Sequence, residues 1–275
     1  MTKRALLVGI NRYATPGCDL RGCVNDALNM RKLLITNGYQ AENITLLTDA
    51  EATGKRVMST LAQLIRSAAA GDRLAYWHSS HGTRVQDRNG DEASGQDSVL
   101  CCHDFDWSDP STYILDDWMA ATLLGLDPDA TITIGADACH SGTANRDVRC
   151  RARYLPPPFR TAARVRPLFA SLLPHPQDNH DDGTEPTRLP DQRGLIFISG
   201  CRDDQTSADS DFGAGAPGGQ YQGAMTASIL RAADRKLLGK VRLAWEYALS
   251  WLDSAGYQQI PQLAADPRLI DGPMF

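Results

Sequence analysis

His81 stands between Ser80 and Gly82, and Cys139 lies far downstream inside Asp137-Ala138-Cys139-His140-Ser141-Gly142. A thiol is a weak nucleophile until a base removes its proton, and an imidazole can take that proton and return it to a leaving amine. The small residues after Cys139 leave backbone N–H groups free to approach a developing oxyanion, the other requirement of acyl transfer. Taken singly, a buried cysteine is an inert small hydrophobe and a strand-end histidine an ordinary hydrogen-bonded group. The pair acquires chemistry only if the fold brings two distant points of the chain together.

The elements needed to do so are legible in the apolar pattern. Arg4 to Ile10 is a short apolar run that reads as a buried parallel strand, followed by Ala27, Met30, Leu33 and Leu34 at helical spacing up to Asn37-Gly38. Asn43 to Leu47 reads as a second strand, and Val57, Leu61, Leu64, Ile65 and Ala68 as one face of a helix that Thr53 would cap. Arg73 to His78 and Thr131 to Ala136 are two further strands, ending at Ser79-Ser80-His81-Gly82 and at Asp137-Ala138-Cys139-His140. Alternating strands and helices imply right-handed crossovers and a mostly parallel sheet covered by helices on both faces. Chemistry in such sheets gathers beyond the carboxyl ends of the strands, where both polar clusters fall.

Several short strings in this order resemble the signature of the metacaspases, the caspase-like cysteine peptidases. They are Ala5-Leu6-Leu7-Val8-Gly9-Ile10-Asn11, Gly22-Cys23-Val24-Asn25-Asp26-Ala27, Ser80-His81-Gly82-Thr83, Asp87-Arg88-Asn89-Gly90-Asp91-Glu92, Ile114-Leu115-Asp116-Asp117 and the string around Cys139. The resemblance spans about half the chain and implies an α/β fold, the caspase-like three-layer αβα sandwich. It implies His81 as base and acid, Cys139 as nucleophile, and Cys23, Asp26, Ser79 and Asp137 as walls of a pocket for a basic side chain. The resemblance implies a protein or peptide substrate cut after Arg or Lys; the Gln-Ala-Cys-x-Gly string of animal caspases is absent, so cleavage after Asp is not implied. A guanidinium is a permanent cation with a fixed fork of donors, which suits two carboxylates. On the residues alone, Asp26 would instead bond within the first-helix region and Asp137 would cap a strand end. Ser80 departs from the glycine usual before the catalytic histidine and adds a side chain near the imidazole.

Asp87 to Asp91 mimics the start of an EF-hand loop, but its glycine comes too early and Ser98 stands where the closing Glu belongs. The resemblance implies instead a regulatory Ca2+ held by Asp97, Asp116, Asp117 and, less directly, Asp147, which an extra residue separates from Cys139. The alternative makes Asp116 and Asp117 the N-cap and first turn of a helix through Trp118 to Leu124, beside the positive end of its dipole. A zinc site on His78 and His81 would need His140 or Cys139 to complete it across the sheet, with no second paired motif in support. No organic cofactor is expected.

The 275 residues, 42% hydrophobic and 22% charged, with a net charge of −5, suit a soluble globular chain. They form one expected peptidase domain, 1–275. The absence of a Lys/Arg block argues against nucleic acid, and the absence of a long apolar run against a membrane span. The apolar run near the N-terminus is too short for a secretory signal, which points to the cytoplasm. Seven cysteines lack paired spacing and read as reduced thiols. Residues 149–193, rich in Pro and in arginines such as Arg149, Arg151, Arg153, Arg160, Arg164 and Arg166, read as a mobile insertion that the enzyme's own site should accept and cut. Asp203, Asp204, Asp209 and Asp211 read as a solvated loop that could also line the cleft. The family resemblance favours a monomer. The competing reading is a catalytically silent caspase-like module that binds basic peptides through Asp26 and Asp137.

Overall fold

Strict alternation decides how the first strand sits. In β1 (Lys3–Gly9) Leu6 and Val8 face one core, Ala5 and Leu7 the other, so both sides of the strand must be covered. The computed structural model describes residues 1–87, 96–139, 150–157, 187–188, 194–202 and 205–275. After β1 come α1 (Cys23–Thr36), β2 (Ile44–Thr48), α2 (Gly54–Arg66) and β3 (Arg73–Ser79). A small antiparallel sheet follows, β4 (Gly82–Gln86), β5 (Gln96–Cys101) and β6 (Tyr113–Leu115), and then α3 (Asp116–Leu123) and β7 (Thr131–Asp137). The rest of the chain supplies β8 (Cys150–Ala152), β9 (Thr187–Arg188), β10 (Leu195–Ser199), β11 (Ala208–Asp211), β12 (Tyr221–Gly223), α4 (Ala224–Asp234), α5 (Val241–Ser254) and β13 (Gln262–Ala265).

The central sheet runs β2-β1-β3-β7-β10-β13-β9, and its one antiparallel pair is β10 with β13. Val57 and Leu61 of α2 and Met119 of α3 pack on one face. Met30 and Leu34 of α1, Ile229 of α4 and Trp245 of α5 pack on the other. This is the expected αβα sandwich, with β8, β11 and β12 added as a second small antiparallel sheet.

Local expectations hold with small shifts. Helix α1 ends at Asn37, and Gly38 takes the positive φ of 86° foreseen for it. Thr53 does occupy the N-cap position of α2, but its side chain makes no capping bond; the carboxylate of Asp104 accepts from the Gly54 N–H instead. Helix α4 stops at Asp234, just before Lys236 enters the left-handed region at φ 60°. The larger correction concerns the start of the insertion. Cys150 to Ala152 are a strand, paired antiparallel with β11, and not loop; 149, 158–186 and 189–193 of the expected insertion lie outside the described residues.

Candidate active site

Sheet register builds the site. Ser79 at the end of β3 pairs with Asp137 at the end of β7, so His81 and Cys139 each lie two residues past the same rung. Both are buried, His81 at 5% exposure and Cys139 at 0%, and what covers them is the chain's own Arg153. The Arg153 carbonyl accepts from the Gly82 N–H at 2.9 Å and the Cys139 N–H at 3.2 Å, and the Arg153 N–H donates to the Ser207 carbonyl at 3.1 Å. A peptide carbonyl is thus already seated on two converging donors beside a thiol, the geometry an oxyanion hole requires. The Cys139 sulfur accepts from the Ser207 N–H at 2.8 Å.

The ring of His81 is oriented by the backbone. Its Nε2 lies 2.7 Å from the Cys18 carbonyl, which has only lone pairs to offer, so Nε2 carries the proton and Nδ1 is left as the basic nitrogen. Nδ1 is buried with no hydrogen-bond partner among the described residues. Tyr13 fixes the same segment by donating nothing to the ring but accepting the His81 N–H on its hydroxyl at 2.8 Å. Ser80 does not crowd the imidazole: its hydroxyl donates to the His81 carbonyl at 2.7 Å.

The Arg153 side chain fills a closed carboxylate pocket. Nη2 lies 2.7 Å from Asp26 Oδ2 and 3.1 Å from Asp209 Oδ1, and Nη1 lies 3.3 Å from Asp137 Oδ1, with all four side chains fully buried. The carboxylates are themselves held: Gly223 N–H donates to both oxygens of Asp26, and Thr226 donates to Asp137 through its N–H at 2.9 Å and its hydroxyl at 2.7 Å. The N–H groups of Arg21 and Gly22, both at 2.9 Å, bind Asp209. Of the expected walls, Cys23 is buried beside these charges, and Ser79 is buried at the rung shared with Asp137. A Cβ on Gly223 would lie 2.2 Å from Asp137 Oδ2 and 2.4 Å from Arg153 Nη1, so the missing side chain is what leaves room for the guanidinium.

Three carboxylates against one guanidinium leave excess negative charge in a dry space. Burial raises the Asp26 carboxyl to about 7, with Arg153 pulling it down and Asp137 pushing it further up. Burial acts the other way on His81, lowering it to about 4, helped by the Arg153 charge and opposed by the bond to Cys18. The docked site therefore holds a neutral imidazole. The Arg153 guanidinium is disfavoured by burial, yet Asp137 and its acidic neighbours hold it above its ordinary value.

Asp209, read as part of a solvated loop that could also line the cleft, is fully buried, its charge paired with an arginine distant in sequence, which local composition does not register. Cys18 acts through its carbonyl, for which no side-chain signature exists. Gly82 carries a signal, a glycine next to the histidine, weaker than the small residues after Cys139 as a pointer to oxyanion donors. Asp203, Asp204, His140 and Asp147 lie outside the described residues.

Of the ligands the zinc alternative needs, His78 has its Nδ1 2.6 Å from the Tyr76 hydroxyl and its ring fully buried and lowered to about 3 by that burial, and His140 lies outside the described residues. The acidic set is only partly assembled. Asp97 on β5 and Asp116 at the start of α3 are buried at 6% and 5% exposure. The β5–β6 register, Val99 opposite Leu115, carries Asp97 toward position 117. Asp116 is the first residue of α3, with Leu115 and not Asp116 at the N-cap, so both acids lie in the first turn; the Asp116 carboxylate accepts from the Asp117 N–H at 3.1 Å. Oxygen-only donors of this kind suit a hard cation, although the three described acids alone do not enclose one.

An αβα sandwich that sets a thiol and an imidazole past one rung of its sheet, beside an anionic hole, defines a caspase-like cysteine peptidase. A family model described as metacaspase, peptidase C14 domain, matches residues 3–146. Metacaspase-1 of Scheffersomyces stipitis is 30% identical to this chain over 95% of it and 70% of the relative. Metacaspase-1 of Arabidopsis thaliana is 33% identical over 86% of this chain and 60% of the relative. A crystal structure of a protein from Geobacter sulfurreducens shares the fold, with a TM-score of 0.69 at 22% identity over 99% of this chain and 98% of that one. The chain belongs to the metacaspase family of cysteine-type endopeptidases. It spans 60% to 70% of the length of the two metacaspases compared.

Proposed function

We propose that this chain is an endopeptidase that cuts after Arg or Lys, with Cys139 and His81 as its catalytic residues, and that its first substrate is its own Arg153–Tyr154 bond. The observation that carries this reading is the pose of Arg153: carbonyl on the Gly82 and Cys139 N–H groups, N–H on Ser207, side chain among Asp26, Asp137 and Asp209. His81 Nδ1 takes the thiol proton and the sulfur attacks the Arg153 carbonyl carbon. The negative charge that develops on oxygen falls on the two N–H donors. Collapse breaks the C–N bond, His81 gives its proton to the Tyr154 nitrogen, and a thioester remains. Water, deprotonated by His81, then forms the C–O bond as the S–C bond breaks, and the proton returns to the thiolate.

Until that cut, the cleft is filled by the strand that will be cut. Calcium belongs to the same proposal: Asp97, Asp116 and Asp117, with Asp147, would hold a regulatory Ca2+, whose charge would neutralise the acids gathered at that end of the small sheet. No helix among the described residues is long and apolar enough to cross a membrane.

The test is mass spectrometry of the full chain incubated with and without calcium, beside Cys139→Ala and Arg153→Ala. Wild type is expected to yield a terminus after Arg153, Cys139→Ala to stay intact, and Arg153→Ala to lose that terminus. A fluorogenic peptide ending in Arg should be turned over and one ending in Asp should not. An intact wild-type chain together with no thiol-dependent release from the Arg peptide would leave the silent binding module in its place.

A further inference from the structure

We infer that the enzyme also grips the peptide that leaves, and that its preferred substrates carry, two places after the cut, a residue with a backbone N–H and an apolar side chain; this rests on the peptidase reading above. Gly82 lies across the bond to be cut. Its N–H donates to the Arg153 carbonyl at 2.9 Å, its carbonyl accepts the Leu155 N–H at 3.1 Å, and Tyr154 between them stands opposite Gly82 in a parallel bridge. One glycine thus holds both the carbonyl that would be attacked and the second residue of the segment that would depart.

The next residue of β4 takes the next group. Thr83, fully buried, donates its hydroxyl to the Leu155 carbonyl. Both backbone groups of Leu155 are therefore bonded to β4, as when a peptide adds to a strand edge and is held through its main chain. The Leu155 side chain packs, partly buried, on the apolar core that includes Val85 of β4 and Val99 of β5. The grip ends there: Pro156 is exposed and has no N–H to give, and Pro157 and Pro158 follow it. A foreign substrate lying where this segment lies would meet the same two demands. Proline in place of Leu155 would deny the Gly82 carbonyl its donor, and alanine would give up carbon that leucine buries.

Kinetics on the self-processed full chain test this with internally quenched peptides that share one acyl half ending in Arg, followed by Ala and then by Leu, Ala or Pro. A coumarin amide of the same acyl half, with no residue after the cut, reads the acyl side alone. The Leu peptide should exceed the Ala peptide roughly fivefold in kcat/KM and the Pro peptide at least tenfold. Thr83→Val, which keeps the shape of the side chain and removes the hydroxyl, should lower the ratio of the Leu peptide to the coumarin amide about fivefold, and Thr83→Ser should restore it. Equal rates for the three peptides on the unaltered enzyme, or an unchanged ratio in Thr83→Val, would overturn the grip on the leaving segment while turnover of the coumarin amide still supported the peptidase. No thiol-dependent release from the coumarin amide or from any peptide would remove both.

Discussion

A neutral imidazole is what the proposed attack by Cys139 requires, and burial beside Arg153 supplies it. His81 falls from 6.5 in the unfolded chain to about 4 in the folded one, so its share of stability is whole above about 6.5 and is lost as pH falls through 4. Asp26 runs the opposite way, from 3.8 up to about 7: its share is whole below about 4 and is lost as pH rises through 7. NMR of the His81 ring in Cys139→Ala, which keeps the strand uncut, should give a midpoint near 4, and adding Arg153→Ala should move it upward by readmitting water and removing a cation. An unchanged midpoint would detach Arg153 from the histidine. Asp209 is the other residue whose worth can be measured. Truncating one member of a desolvated charge cluster costs about 2–5 kcal/mol, so Asp209→Ala should lower kcat/KM on an Arg peptide roughly a hundredfold. Initial rates on the processed enzyme check this.

At the scale of elements, the pocket depends on how closely β1 approaches α1. A Cβ on Gly9 would lie 2.4 Å from the Cys23 carbonyl, the first residue of α1 and three before Asp26. Gly9→Ala must push that helix start away; overpacking of this kind costs about 1–3 kcal/mol, a drop in Tm of roughly 2–10 °C by calorimetry. The same displacement should raise KM for Arg peptides, because Asp26 moves with the helix. These elements were visible in the apolar spacing, down to the glycine after α1. The cap of α2 was not, since Asp104 reaches Gly54 from a loop fifty positions away. The strand β8 was hidden for the same reason. Cys-Arg-Ala carries no alternation strong enough to announce a strand, and it is one only because β11 offers an edge and three carboxylates hold the arginine that follows.

At the scale of the whole molecule, the central sheet draws strands from both sides of Arg153. β1, β2, β3 and β7 precede Arg153; β10 and β13 follow it, and β10 pairs with β7 from Leu195 on Ile132 to Ser199 on Ala136. The core on each face likewise draws on both parts, Val57 with Phe197 on one, Leu34 with Trp245 on the other. Cutting after Arg153 should therefore leave the two pieces associated: gel filtration under native conditions is expected to elute one species that a denaturing gel splits in two. Separate elution would mean that the sheet is weaker across β7 and β10 than its pairing implies. The sequence by itself determined the layering of helices on a mostly parallel sheet, which is written in periodicity, and its short contiguous strings marked out His81, Cys139, Asp26 and Asp137 through their resemblance to the family. Tertiary structure alone decided that Asp209 joins Asp26 and Asp137 around one guanidinium, that the Cys18 carbonyl orients the His81 ring, and that Arg153 is the residue held there. Those are pairings of opposite charges or of donor and acceptor between residues remote along the chain, and only folding sets the distance on which such energies depend.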